Sequence, residues 1–258
     1  MRGTATYVYC LAERSRPPSL TNAPPGLPHG TRPELIEIKK SLWGVVSDVP
    51  LSIYGGERLE PRLTDLTWVA DLALAHETVV EHFASRSGTS VVPMKLFTMF
   101  SNRARASADL AARWPDIKPV LDRIRGCAEW GIRVMRQPVP ARGAAARGAS
   151  SGTAFLVAKK RERDAVRAGL VKAADAAEDA FESLAKLARE ARRREAPETA
   201  TSPPLVDAAF LVSDNRKERF RSAARRLAKS CRQAGADLIL TGPWPAYNFV
   251  QQASEDAR

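Results

Sequence analysis

Histidine, cysteine and the acidic residues have side chains that could bind a metal ion or transfer a proton, and this chain has only three His and three Cys. His76, Glu77 and His82 suggest a comparison with zinc sites. In metalloproteases two histidines stand four residues apart, so that both rings lie on one face of a helix. Here the separation is six residues, which turns the second ring away. We therefore interpret His76 as a hydrogen-bonded core histidine and expect no metal site.

Nucleophilic catalysis has no local support in the sequence. No Gly-x-Ser-x-Gly turn, Walker-type loop or dinucleotide glycine run occurs, and His29 lies in a Pro-rich stretch. Cys10, Cys127 and Cys231 are few, odd in number and set in apolar contexts, which predicts buried thiols of a reducing compartment and not a disulfide framework. The sequence therefore predicts a protein that is not an enzyme and needs no cofactor.

Basic residues outnumber acidic ones, 40 to 29, giving a formal charge of +11. Such a balance is compatible with nucleic acid, an anionic membrane or an acidic protein as partner. Four basic residues recur along one side of a predicted helix over 216–234, namely Arg221, Arg225, Lys229 and Arg232. They could bind phosphates, which makes a nucleic-acid-binding α+β module the alternative function. We favour a solvated face, because no aromatic RNA-stacking signature accompanies the stripe.

The segment 241–250 (TGPWPAYNFV) combines two prolines with three aromatic residues and carries no Cys, His or acid. It is suited to packing or docking and not to proton transfer. Proline excludes a helix interior or a central strand, so the aromatics must bury against the protein's own body or against a partner. We favour the first, an internal clamp. If the tail instead binds a partner, the residues expected to do so are Trp244, Tyr247 and Phe249.

Hydrophobic periodicity predicts the elements of the first half of the chain. Strands are expected over 4–11, 42–49, 90–93 and 128–134, and a surface loop over 16–33. Helices are expected over 65–84, with Thr64 as N-cap, and over 103–113 and 115–124.

The second half begins with a Pro-, Gly-, Ala- and Arg-rich linker over 137–152. A long charged helix is expected over 153–195, then a strand over 205–212, the helix over 216–234 and a strand over 237–240. The long helix has an apolar seam typical of a coiled coil, formed by Val166, Leu170, Ala173, Ala177, Phe181, Leu184, Ala188 and Ala191. That seam could pack on its own domain or on a partner helix, and the sequence leaves both possibilities open.

These elements predict a two-layer α+β protein with two domains, ferredoxin-like over 1–136 and α+β with the long helix and aromatic tail over 153–258. No apolar run reaches the eighteen residues expected of a membrane span, and the first residues do not look like a signal peptide. We therefore expect a cytoplasmic protein that does not bind a membrane.

Several segments, in order along the chain, together resemble the gas vesicle accessory protein family GvpL/GvpF. They are Tyr7-Val8-Tyr9, Val46-Ser47-Asp48-Val49-Pro50, Ala75-His76-Glu77, Val92-Pro93 with Thr98 and Phe100, Glu129-Trp130-Gly131-Ile132-Arg133-Val134, and Thr241-Gly242-Pro243-Trp244-Pro245 with Tyr247, Phe249 and Val250. Three positions depart from the family's commoner pattern: Phe97 replaces Gly, while Ala246 and Asn248 replace Pro and Ser. A local backbone difference is expected at Phe97.

The resemblance implies a modified ferredoxin-like N-terminal domain and a C-terminal domain with long helices. It also implies a role in gas vesicle assembly, with the hydrophobic shell subunit and other gas vesicle proteins as partners. No catalytic, metal-binding or cofactor-binding residues carry over from the family.

Overall fold

The computed structural model describes residues 3–86, 88–138, 152–195 and 202–250. The chain divides into two compact units: unit 1 is Met1–Ala128 with Pro243–Arg258, and unit 2 is Glu129–Gly242. This differs from the expected boundaries at 136 and 153, because the strand after residue 126 joins the second sheet and the tail returns to unit 1. The expected linker over 137–152 lies mostly outside the described residues.

Unit 1 is built on one antiparallel sheet with the strand order β2-β3-β1-β4, and a fifth strand also pairs with β1. The strands are β1 Thr4–Glu13, β2 Glu34–Lys39, β3 Leu42–Pro50, β4 Ser90–Pro93 and β5 Met99–Phe100. Eight consecutive residues of β1 are buried. β1 is therefore covered on both faces and forms the centre of the unit.

The strand β2 is absent from our sequence-based prediction. In its sequence, ELIEIK, the adjacent Leu35 and Ile36 interrupt the alternation of polar and apolar residues. Charged residues occupy half of the strand, and most of its side chains remain partly exposed at the edge of the sheet. Ser41, with φ of 68°, lies in the turn that joins it to β3. The short strand β5 is also absent from the sequence-based prediction. The strands predicted over 4–11, 42–49 and 90–93 are confirmed as β1, β3 and β4, with β1 two residues longer than expected.

The helices of unit 1 are α1 Leu51–Tyr54, α2 Gly56–Leu59, α3 Leu66–Ala84, α4 Arg103–Ala112, α5 Trp114–Ile124 and α8 Tyr247–Val250, with a 3-10 turn at Glu60–Thr64. The N-cap of α3 is Asp65 and not Thr64, because the Asp65 carboxylate accepts hydrogen bonds from the main-chain N–H groups of Thr67 and Trp68. α3 buries Leu72, His76, Val79, Val80 and Phe83.

Unit 2 contains a four-stranded antiparallel sheet in the order β7-β8-β6-β9. The strands are β6 Cys127–Arg136, β7 Glu190–Arg193, β8 Val206–Ser213 and β9 Ala236–Trp244. Two helices, α6 Gly152–Ala185 and α7 Lys217–Gln233, accompany the sheet, with a 3-10 turn at Asp214–Arg216. Trp130, Phe210 and Phe220 are central to the core of this unit.

The long helix ends at Ala185, ten residues before the predicted end, and the strand β7 follows it. The main chain there is held by the sheet: Arg189 N–H donates to Leu211 C=O at 2.7 Å, and Arg194 N–H donates to Asp207 C=O at 2.8 Å. The charged sequence of this segment is typical of a helix, but hydrogen bonds to the sheet hold it as an edge strand. β9 also runs further than predicted and includes Pro243, which an edge strand tolerates.

Candidate functional site

A buried polar pair lies at the centre of unit 1. The Tyr7 hydroxyl is 2.7 Å from His76 Nδ1, and the same hydroxyl accepts a longer bond of 3.4 Å from the Phe97 main-chain N–H. Burial raises the pKa of Tyr7 above its usual range and lowers the pKa of His76 to about 4. Both groups are therefore neutral at pH 7. Because the Tyr7 hydroxyl already accepts from the Phe97 N–H, we assign its own proton to the bond with Nδ1. His76 is the hydrogen-bonded core histidine that the sequence predicts.

The position of Phe97 explains one departure from the family pattern. Its φ is 66°, in the left-handed region that glycine adopts freely and a bulky residue rarely does. The ring stacks on Trp68 with the ring centroids 6.4 Å apart. A glycine would adopt this backbone conformation without strain. Phe97 is strained there, and the contact of its ring with Trp68 offsets part of that cost.

Beside this pair lies a cleft of about 590 Å³, within the range of ligand-binding pockets. We call it the unit 1 cleft. Its walls come from β1, β4, the loop after β4, α3, α4 and α5, and they are mainly aliphatic: Leu11, Val92, Leu96, Leu110, Ile117 and Val120. Tyr247 and Val250 from α8 complete the lining. The helix α8 contributes to the site although it follows the whole of unit 2 in the chain.

A few polar side chains are set among these aliphatic walls. His76, Glu77, Lys95, Thr98 and Arg113 line the cleft. Among the described residues no group of three or more His, Cys, Asp and Glu is placed to hold a metal ion. An apolar cavity with both acidic and basic groups is suited to binding an amphipathic segment.

The aromatic tail packs mostly on its own unit. Phe249 is fully buried, Tyr247 is half-buried against the unit 1 core, and Trp244 is 40% exposed. The Arg123 guanidinium donates to the main-chain carbonyl of Phe249. Two of the three aromatics thus have internal packing roles, while the Trp244 ring remains accessible.

The basic stripe lies on α7 in unit 2, whereas Trp244, Tyr247 and Phe249 belong to unit 1. Arg221 pairs with Glu218 at 3.1 Å, and Arg232 Nε lies 3.6 Å from an Asp237 carboxylate oxygen. Arg225 and Lys229 are exposed. Half of the stripe therefore already has acidic neighbours.

The remaining candidates from the sequence are also placed. The His82 ring contacts the Arg86 guanidinium at 2.8 Å, whereas His76 lies on the buried face of α3, so the two histidines do not form one site. Cys10 and Cys231 are buried as expected, and Cys127 is half-buried. No helix among the described residues is both long enough and apolar enough to span a membrane.

Sequence reasoning missed most of the residues that make the cleft, including Lys95, Leu96 and Arg113. Their helix and loop positions were predictable, but a concavity arises only when α3, α4 and α5 pack around β4. The one available signal was indirect. His76, Glu77, Val92, Pro93, Thr98, Tyr247 and Val250, which line the cleft, belong to the segments that carry the family resemblance.

The chain is similar to known gas vesicle proteins over nearly its whole length. The sequence profile of the family described as "Gas vesicle synthesis protein GvpL/GvpF" matches residues 5–251. Gas vesicle protein L of Streptomyces sp. (strain CB03234) is 29% identical over 225 residues, which cover 83% of this chain and 82% of the relative. Gas vesicle protein F2 of Halobacterium salinarum is 25% identical over 213 residues, covering 82% and 77%.

Solved structures share the fold. The crystal structure of GvpF from Anabaena sp. PCC7120 matches with a TM-score of 0.67 at 14% identity, over 96% of this chain and 97% of that one. GvpF from Microcystis aeruginosa matches with a TM-score of 0.63 at 14% identity, over 96% and 99%. These likenesses agree with the mixed α+β fold expected from the sequence, with its long helix. The family profile covers almost all of the chain, and the protein therefore belongs to the GvpL/GvpF family of gas vesicle synthesis proteins.

Proposed function

We propose that this protein acts in gas vesicle assembly by binding the hydrophobic shell subunit, and that the unit 1 cleft receives an apolar segment of that subunit. The observation that carries the proposal is the cleft itself. It has a volume of about 590 Å³ and a mainly aliphatic lining, and it lies in a unit that already has a packed core. Family membership supports the role in vesicle formation. The identity of the bound partner is the part that needs an experiment.

The physical need for such a partner is sequestration. A shell-forming subunit must expose apolar surface or strand edges before it polymerises, and such surfaces aggregate unless they are covered. Each large aliphatic side chain buried in the cleft contributes roughly 1.5–3 kcal/mol before the costs of association. A few such side chains suffice for a reversible complex, which an assembly factor requires.

One polar group in the cleft is suited to hold a main chain. Because Nδ1 of His76 accepts from Tyr7, the ring proton is on Nε2, which has no partner of good hydrogen-bond geometry among the described residues. The main chain of Met94 lies near the ring and opposes part of the lowering of its pKa. In the complex we expect Nε2–H to donate to a main-chain carbonyl of the shell subunit. The interaction would orient the apolar segment without choosing its sequence.

The test is co-expression of the tagged full chain with the shell subunit, followed by affinity capture. Ala73, a half-buried residue of α3, lines the cleft, and its neighbour Leu74 is 64% exposed and does not. We expect Ala73→Trp to reduce capture of the shell subunit at least tenfold, because the indole fills the cleft. Leu74→Trp is the matched control and should capture as much as the parent protein.

Circular dichroism and thermal unfolding establish that both variants fold before capture is compared. Equal capture by the parent and Ala73→Trp would remove the cleft from the proposal. If the parent protein captures no shell subunit, the proposed partner itself is wrong.

The rival function, nucleic-acid binding by the α7 stripe, requires phosphate contacts that weaken steeply with salt. The acidic neighbours of Arg221 and Arg232 reduce the charge available for such contacts. A gel shift at 50 and 200 mM salt with Arg225→Ala/Lys229→Ala as the comparison decides it. Salt-sensitive binding that this variant loses would favour the rival.

A further inference from the structure

The helix α6 has two halves with opposite environments. Its 34 residues span about 50 Å at 1.5 Å per residue. From Ala173 onward it packs in the unit 2 core through Ala173, Ala177, Ala180 and Leu184. Between residues 153 and 172 every described side chain is exposed except that of Ala158, which is half-buried. We call residues 153–172 the exposed segment of α6.

The exposed segment is rich in apolar side chains that a solvated helix does not need. Of twelve exposed large hydrophobic residues in the described part of the chain, six lie here: Phe155, Leu156, Val157, Val166, Leu170 and Val171. Leu156 is 65% exposed and Val171 54% exposed. A lone helix of twenty residues is only marginally stable in water, and among the described residues this segment leaves most of its apolar side chains exposed, a cost that a partner would remove.

Two of these apolar residues, Val166 and Leu170, continue the buried seam of the same helix, and the same spacing then passes Arg163 and Lys159 before it reaches Leu156. Val166 and Leu170 precede Ala173, Ala177, Ala180 and Leu184 with spacings that alternate between four and three residues. This is the a/d repeat of a coiled coil. The face that α6 buries in the unit 2 core therefore extends beyond that core as an exposed seam that mixes apolar residues with the basic residues Arg163 and Lys159.

The charge of the exposed segment indicates what kind of helix would cover that seam. It carries six Lys or Arg residues against two acidic residues, a net charge of +4, with the basic residues at Lys159, Lys160, Arg161, Arg163, Arg167 and Lys172. A second copy of the chain would place like charges beside the seam, which destabilises a coiled coil. An acidic helix would be complementary in charge.

From the seam and the charge together we propose that the exposed segment of α6 docks an acidic amphipathic α-helix of another protein, in coiled-coil geometry. This surface lies in unit 2 and does not involve the unit 1 cleft. The two proposals can therefore fail separately. Apolar seam contacts would supply affinity, and the basic residues within and beside the seam would select the partner and speed its association.

The experiment measures binding of three fluorescent 28-residue peptides to the full chain by anisotropy. The first has Leu at heptad a and d and Glu at e and g; the second has Lys in place of Glu; the third is a scrambled version of the first. We expect the acidic heptad peptide to bind at least tenfold more tightly than either of the others. Hydrogen exchange should show protection of amides 153–172 only when that peptide is present.

Two substitutions test the seam on the folded protein. Leu170→Asp, which interrupts the exposed seam, should weaken binding of the acidic peptide at least tenfold. Leu74→Asp places the same charge at an exposed apolar site on α3 in unit 1 and should leave binding unchanged. Circular dichroism confirms that each variant retains its fold.

Four outcomes would overturn the proposal: equal binding of all three peptides, preference for the basic one, protection elsewhere than 153–172, or unchanged binding by Leu170→Asp. Sedimentation velocity and vesicle flotation test the other occupants. Self-association that Leu170→Asp abolishes would assign the seam to a second copy. Binding confined to phosphatidylglycerol vesicles would assign it to an anionic membrane.

Discussion

The Tyr7 hydroxyl donates to Nδ1 of His76 across 2.7 Å, and this bond links the central strand of unit 1 to the buried face of α3. The bond is made between two neutral groups, since burial lowers the pKa of His76 to about 4. The Tyr9 ring completes the cluster, with its centroid 5.7 Å from that of His76. The neutrality of the histidine makes this part of the core sensitive to acid.

The first prediction concerns pH. The folded pKa of His76 is about 4, below its ordinary value of 6.5, so the protein gains stability from the neutral ring above pH 6.5 and loses it as pH falls from 6.5 toward 4. The loss amounts to about 3 kcal/mol over that range. Urea unfolding of the parent and His76→Gln at pH 7.5, 6, 5 and 4 should show the gap in unfolding free energy closing by that amount. Parallel pH profiles for the two proteins would refute the assignment.

A second prediction separates crowding from backbone strain at two glycines. Gly26 has φ of 85°, and a Cβ there would lie 2.5 Å from the Tyr9 hydroxyl oxygen; Gly126 has φ of 62° with no neighbouring atom within 4 Å. Gly126→Ala should cost about 1–2 kcal/mol, the strain of a left-handed alanine. Gly26→Ala should cost about 2 kcal/mol more, because Tyr9 must shift and its bond from Leu27 N–H is lost. Urea unfolding of both variants measures these losses of unfolding free energy. Equal losses would show that the Tyr9 side chain can move aside at no cost.

The third prediction tests the tail as an internal clamp. Phe249 is fully buried and Trp244 is 40% exposed. Phe249→Ala should lower the free energy of unfolding by about 3–5 kcal/mol through a cavity in unit 1. Trp244→Ala should lower it by less than about 1 kcal/mol. Chemical unfolding of both variants decides the matter, and similar losses would mean that the Trp244 indole is part of the same core.

A fourth prediction concerns the stability of the exposed segment of α6. Gly169 lies in its interior, and a Cβ there would meet no atom within 4 Å. Gly169→Ala should stabilise the helix by about 0.5–1 kcal/mol, because alanine loses less backbone entropy. Amide exchange over 160–172 should slow severalfold, whereas Gly169→Pro should accelerate it. Unchanged exchange in the alanine variant would show that the segment is already held by other contacts.

Much of the fold was predictable because local pattern and tertiary structure agree there. The apolar stripe of α3 and the alternation of Trp130, Ile132 and Val134 identify their elements directly. The failures lie at sheet edges. β2 and β7 are charged, and each is extended because it forms hydrogen bonds with the strand that follows it, β3 and β8 respectively. The intrinsic preference of a charged segment does not reveal such pairing.

The candidate site was predictable only in fragments. The sequence identified His76 as a core residue and Tyr247 as a residue that buries, and each now lines the unit 1 cleft. It did not join them, because they lie on elements separated by all of unit 2. Phe97 shows the reverse case: a single residue that departs from the family pattern marks a backbone position with φ of 66°.

The return of the chain to unit 1 has a consequence for biosynthesis. Tyr247 and Val250, which line the cleft, leave the ribosome only after the entire intervening unit has been made. A nascent chain can form the sheet of unit 1 early, yet its cleft lacks a wall until translation has passed residue 250. Prematurely terminated products would thus lack the complete cleft, and translation itself would set the moment at which the binding surface becomes available.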